Sequence, residues 1–173
     1  MELNLTLCAL MNRTQLNFAF FIFLGIGFQL FIAPFFSIYN IVPDLITVIV
    51  IHSSFYLGQM YGTGFGFFSG FVFDVMSGGM IGSSMFAKSL TGFLSGFFQN
   101  SYFSESEFHF IRYLLSVLFL ASIDSFFYSL FGSTEIKLNL TFMFFNISIL
   151  PGLYTTVFSI PFYFFRRKGF LNE

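Results

Sequence analysis

The chain is 173 residues long, 56% hydrophobic and only 9% charged, which leaves too little polar surface for a soluble domain of this size to cover itself. Seven basic and eight acidic residues, for a net charge of -1, exclude a nucleic-acid partner and a purely peripheral attachment to a membrane. The composition is that of an integral membrane protein in which 33 phenylalanines and no tryptophan supply lipid-facing bulk, and the one cysteine, Cys8, rules out an internal disulfide.

Residues 1–16 mix Asn, Thr, Arg and Leu without a long apolar core or a basic stretch ahead of one, which argues against a cleaved signal peptide. They are expected to be a cytoplasmic N-terminal segment. A membrane-crossing helix needs about 20 apolar residues, and Asn17 to Tyr39 supplies the first. Gln29 is its one strongly polar interior residue, and Pro34 is expected to end or bend it. The second span runs from Pro43 to about Gly58. Pro43 suits the first position of a helix, and Asp44 complements the positive end of its dipole, so Asp44 reads as a cap in preference to a functional acid. His52 follows roughly 12 Å beyond Asp44 at 1.5 Å per residue, near mid-membrane. With Ser53, Ser54 and Tyr56 marking a polar face there, His52 reads as a hydrogen-bonded structural histidine in preference to a proton relay.

The third span, Met60 to Met76, opens a pattern in which Gly62, Gly66, Gly70, Asp74, Gly78 and Gly82 fall at every fourth position. Residues four apart share a helix face, so the glycines predict a smooth strip against which another backbone can lie. An ionisable residue inside a membrane faces protein or water, which makes Asp74 a point of helix-to-helix packing. The fourth span, Ile81 to Tyr102, follows through Ser77, Gly78 and Gly79, a turn too short for anything but antiparallel neighbours. Ser84, Lys88, Gly92 and Gly96 repeat the four-residue spacing, so the two strips are expected to face each other. Asp74 and Lys88 differ by roughly 7 Å in depth at 1.5 Å per residue. Side chains lean toward the helix N-terminus, so a buried Asp74–Lys88 ion pair is geometrically allowed.

The fifth span, Phe108 to Phe131, carries Asp124 with Tyr128 one turn on. The sixth, Leu138 to Phe165, should kink at Pro151-Gly152 and loosen at Pro161. Arg166, Arg167 and Lys168 then mark a membrane face, with residues 169–173 as a cytoplasmic tail. The expected fold is an all-α membrane protein, a single domain of six transmembrane helices over residues 17–168. Arg13, Arg112 and the Arg166–Lys168 cluster fall on one side, which places both termini in the cytoplasm and Asp44 and Asp74 toward the outside.

Catalytic motifs do not survive their context. Gly82 to Ser89 differs from a phosphate-binding loop by one glycine, but an apolar helix precedes it where a strand is needed. His52 and His109 lie on different helices at different depths, so no zinc spacing exists, and there is no Gly-x-Ser-x-Gly elbow. Asp44 and Asp74 do not form an intramembrane aspartyl pair, because Asp44 lies at an interface and packing accounts for Asp74. Neither enzymatic activity nor a metal or cofactor is expected. The deep charges are more informative: Asp74, Asp124 and the marginal Asp44 stand against Lys88 alone. At least one acid therefore lacks an obvious partner, and a proton, a partner helix or a ligand cation would complete the set.

Pro43-Asp44-Leu45, the run Gly66-x3-Gly70-x3-Asp74-x2-Ser77-Gly78, then Gly82 and Lys88 to Gly92, together with Gln29, Pro161 and Arg166-Arg167, resemble the MreD family of rod-shape membrane proteins. The resemblance covers Asn17 to Lys168. It implies a non-enzymatic partner of the single-span protein MreC in the bacterial inner membrane, working with MreB filaments, RodA and a class B penicillin-binding protein in lateral peptidoglycan synthesis. Under it Asp74, Gly62, Gly66, Gly70, Ser77, Gly78, Gly82, Lys88, Gly92 and Gly96 are partner-binding or helix-packing positions, and Asp44, His52 and Asp124 are polar positions of structural or functional use. Membrane lipid is the other expected partner. The implied fold is similar to the substrate-binding subunits of energy-coupling-factor vitamin transporters, which leaves a small-molecule-binding transport subunit as the alternative. Such a subunit needs a polar pocket opening outward, and with few outer polar residues beyond Asp44, Asp74 and Asp124 the scaffold is favoured.

Overall fold

The structure, a computed structural model, describes residues 17, 20–37, 41–99, 109–132 and 148–169, with side chains to residue 163. Six helices follow in chain order: α1, Phe20–Phe31; then α2, Leu45–Leu57, α3, Gln59–Ser77, α4, Ser83–Phe97, α5, His109–Gly132, and α6, Leu150–Gly169. The expected cytoplasmic segment 1–16, the start of the sixth span at Leu138 and the side chains of Arg166, Arg167 and Lys168 lie outside the described residues.

Each boundary has a local cause. α1 is shorter than the expected Asn17 to Tyr39, because the chain turns at Ile32 and enters a 3-10 turn, Ala33–Phe36, that carries Pro34 in its first two positions. α2 begins where the Asp44 carboxylate accepts the Thr47 N–H at 3.1 Å, the N-cap expected of it. It stops after 13 residues at Gly58, whose φ of 95° lets one residue join α2 to α3. Pro151 and Gly152 lie in the first turn of α6, directly after the π-helical residues 148 and 149; the kink expected there involves the preceding part of the span, which lies outside the described residues. Pro161 lies inside α6, which continues past it to Gly169.

Among the described residues only α5, over Phe110–Gly132, is both long and apolar enough to cross a bilayer; α1 and α2 are apolar but shorter. Thirteen residues of α2 make about 20 Å against a hydrocarbon core of about 30 Å.

α2 is the centre of the bundle. Every residue from Leu45 to Phe55 is buried, as befits a helix that is apolar on all sides. Ile46, Ile49 and Val50 pack on Ile22 and Ile26 of α1. Ile51 and Phe55 pack on Tyr113, Val117 and Leu120 of α5. α3 and α4 form an antiparallel hairpin beside it, and α6 closes against α5. The distribution of polarity is inverted relative to a soluble fold: Phe35, Met60, Phe68, Phe23 and Ile81 are among the many exposed large apolar side chains, while serines, threonines, Asp74, Lys88 and Asp124 are buried. Apolar matter outside and polar groups inside is the arrangement that lipid, and not water, rewards.

Candidate functional site

The α3–α4 hairpin is held at backbone contact by glycine. A Cβ placed on Gly66 would lie 2.2 Å from the Lys88 carbonyl oxygen, and one on Gly70 2.5 Å from Met85 Cα. Gly92 would meet the Gly62 carbonyl oxygen at 2.2 Å, and Gly96 the Gln59 Cβ at 2.5 Å. No side chain fits at these crossings, which is how small residues let two helices approach in a membrane. A hydrogen bond from Gln59 Nε2 to the Phe93 carbonyl at 3.0 Å fastens the same seam, and one from Ser54 Oγ of α2 to the Gly92 carbonyl at 2.9 Å ties α2 to α4 beside it. Gly78 and Gly82 do something else. Helix α3 has ended at Ser77, neither glycine has a neighbour within 4 Å of an added Cβ, and both have positive φ, 67° and 108°. They shape the turn; they do not extend the strip.

Asp74, only 1% exposed, faces the start of α4. Its carboxylate accepts the backbone N–H of Gly82 at 2.8 Å, Ser84 at 3.2 Å and Met85 at 3.3 Å. A residue of α3 thereby supplies the cap that α4 lacks, since Gly82 stands at the α4 N-cap without a side chain. Ser77 Oγ donates to the Asp74 carbonyl at 3.4 Å.

Lys88 turns to other partners. The allowed Asp74–Lys88 pair does not form: the Lys88 ammonium donates to Asp44 Oδ2, to Thr47 Oγ1 at 2.8 Å and to Asp124 Oδ2 at 3.2 Å. Three N–H donors thus meet three acceptors from α2 and α5. The reason is that the backbone amides of α4 already satisfy Asp74, whereas Asp44 and Asp124 converge on the other side of α4. Threonines complete the network. Thr47 Oγ1 donates to Asp124 Oδ2 at 2.8 Å, Thr91 Oγ1 reaches Asp124 Oδ1 at 3.5 Å, and the Asp44 N–H donates to Thr155 Oγ1 on α6 at 3.0 Å. Gln29 of α1 joins at the rim, its Oε1 accepting the Leu45 N–H at 3.1 Å. The acid expected to be left over is therefore not unpartnered: Asp44, Asp74 and Asp124 each accept hydrogen bonds within the chain.

The site so built reaches five helices through one lysine, two carboxylates and three threonines, with Gln29 at its edge. The threonines were not singled out from sequence; Thr47 and Thr91, each three residues beyond a charged partner, share its helix face. His52 lies elsewhere, buried among the rings of Tyr56, Tyr113 and Phe162 at centroid distances of 5.6, 6.0 and 6.2 Å. An apolar cleft of about 370 Å³ between α1 and α3, lined by Ile22, Phe23, Ile26, Gly64 and Phe68, touches none of the charges. Among the described residues no group of three His, Cys, Asp or Glu side chains is placed to hold a metal ion.

An apolar exterior over a polar core whose charges bind one another or backbone defines an integral membrane protein. The chain belongs to a family: residues 12–169 match the one described as rod shape-determining protein MreD. It is thus a rod-shape-determining membrane protein. Comparison with curated proteins and with solved structures gives no match.

Proposed function

We propose that the chain is a multi-pass scaffold of the bacterial cell-elongation machinery, seated in the cytoplasmic membrane with both termini inside. In this reading it binds an MreC-like single-span protein and, with MreB, RodA and a class B penicillin-binding protein, supports lateral peptidoglycan synthesis. α1 to α6 then all lie in the bilayer, with the shorter helices packed against α5 and their exposed phenylalanines toward lipid. The observation that carries the reading is the family match over residues 12–169. The chemistry of the core agrees with it, because Asp44, Asp74, Lys88 and Asp124 are bound to one another or to backbone, which suits a rigid platform.

The test is cellular. Depletion of the chain from rod-shaped cells that carry it should round or widen them, and re-expression of the full chain should restore constant width. Unchanged width after complete depletion would remove the proposal.

A further inference from the structure

The three acids differ in what stabilises their negative charge, and in burial: Asp74 and Asp124 are buried, while the Asp44 side chain is 26% exposed. Asp74 accepts three backbone N–H groups at the start of α4, and Asp44 accepts the Thr47 N–H at the start of α2; both sit at the positive end of a helix dipole. Asp124 has neither advantage. It lies in the interior of α5, 3% exposed, and no backbone N–H reaches it among the described residues. Its donors are the Thr47 hydroxyl, a lysine that Asp44 shares and, at the limit of hydrogen-bond distance, the Thr91 hydroxyl. The first two fall on Oδ2, leaving Oδ1 with Thr91 Oγ1 at 3.5 Å as its neighbour.

Charge bookkeeping points the same way. Asp44 and Asp124 against Lys88 leave one negative charge in excess in a cluster whose lysine is 3% exposed. An uncompensated charge buried in hydrocarbon is costly, and a proton removes it. We propose that the cluster is a proton-binding site: Asp124 carries a proton on Oδ1 and donates it to Thr91 Oγ1, while Asp44 stays ionised against Lys88. Oδ2 then acts as the carbonyl oxygen that accepts from Thr47 and Lys88, and the Thr91 hydroxyl, which donates to an ionised Oδ1, rotates to accept. The other groups facing Asp124 do not displace this assignment. α2 brings Asp44, α4 brings Lys88, α5 itself brings Tyr128, which is in electrostatic reach of all four charges, and α6 contributes the Thr155 hydroxyl at Asp44; α3, which carries Asp74 with its amide partners, does not pack on α5 among the described residues.

The sign of the pH effect follows. The folded chain holds a proton that the unfolded chain, its carboxyl in water, has released, so unfolding free energy falls as pH rises. Losing the proton restores the excess charge where α2, α4 and α5 meet, and the bundle loosens from that point.

Infrared spectroscopy of the full chain in lipid vesicles at neutral pH tests the assignment, because the C=O stretch of a protonated carboxyl is separate from that of carboxylates, and acids in water are ionised there. The expected result is one such band in the wild-type protein, lost in Asp124→Asn and also in Asp44→Asn, where Lys88 and Asp124 are left as a balanced pair, and kept in Asp74→Asn. Asp124→Asn, an isostere of the neutral acid, should also fold and lose the fall in thermal stability with rising pH. Absence of the band from the wild type overturns the proposal without recourse to any variant, and so does its survival in Asp124→Asn. The outcome is independent of which partner the scaffold binds.

Discussion

The carboxylate of Asp74, on α3, accepts the backbone N–H of Ser84 in the first turn of α4 at 3.2 Å, so the hairpin is closed by a side chain and not by its loop. Gly82 and Met85 donate to the same carboxylate. Asp74→Ala leaves three amides without acceptors in a buried place, and an unsatisfied buried donor costs about 1–3 kcal/mol. Asp74→Asn keeps one acceptor oxygen and loses the charge, so it should cost less than alanine. Thermal unfolding in lipid or detergent would rank wild type above Asn above Ala; an alanine variant as stable as wild type contradicts the capping role.

The glycines of α3 separate into those that a side chain would collide with and those that it would not. Gly66→Ala places a methyl 2.2 Å from the Lys88 carbonyl oxygen, whereas Gly64 has no neighbour within 4 Å. Overpacking of this kind costs about 1–3 kcal/mol, while Gly64→Ala should be neutral or slightly stabilising through helix propensity. Yield of folded protein and unfolding temperature check the pair. Equal behaviour of the two variants argues against backbone contact between α3 and α4.

Lys88→Met removes the cation that Asp44 and Asp124 share. Breaking a buried ion pair costs about 3–5 kcal/mol, and removing its counter-charges as well recovers much of that. Lys88→Met alone should therefore express poorly, and Lys88→Met with Asp44→Asn and Asp124→Asn should recover. Comparing folded yield across the set separates charge compensation from simple loss of the lysine stem. No recovery in the combined variant argues that packing of the stem dominates.

Much of the fold was legible because it rests on spacing. Pro43 and Asp44 announced the start of α2, and the Gly62, Gly66 and Gly70 repeat announced a face for close approach. What spacing along one helix could not show was which partner each charge chooses. Asp74 and Lys88 share a hairpin and a compatible depth, yet the amides of α4 take Asp74 and distant residues 44 and 124 take Lys88. That choice depends on how α2 and α5 pack beside the hairpin, which no local pattern records. The same limit hid Thr155, 111 residues from the Asp44 amide that it accepts from; Gly78 was already legible as part of the turn, whereas Gly82 was read inside the fourth span. The end of α2 was legible too: the second span was expected to stop at about Gly58, the residue at which α2 ends.

The central proposal is that this chain is a scaffold for an MreC-like single-span protein, with Asp74 of the α3–α4 hairpin among its expected partner-binding positions. Co-purification of the tagged full chain in detergent with an MreC-like single-span protein, comparing wild type with Asp74→Asn and Asp74→Ala at matched folded yield, tests it most directly. The account predicts recovery of that protein with the wild type, reduced with asparagine and lost with alanine. Recovery of transporter ATPase subunits with a bound small molecule, or equal recovery of the single-span protein with all three chains, would contradict it.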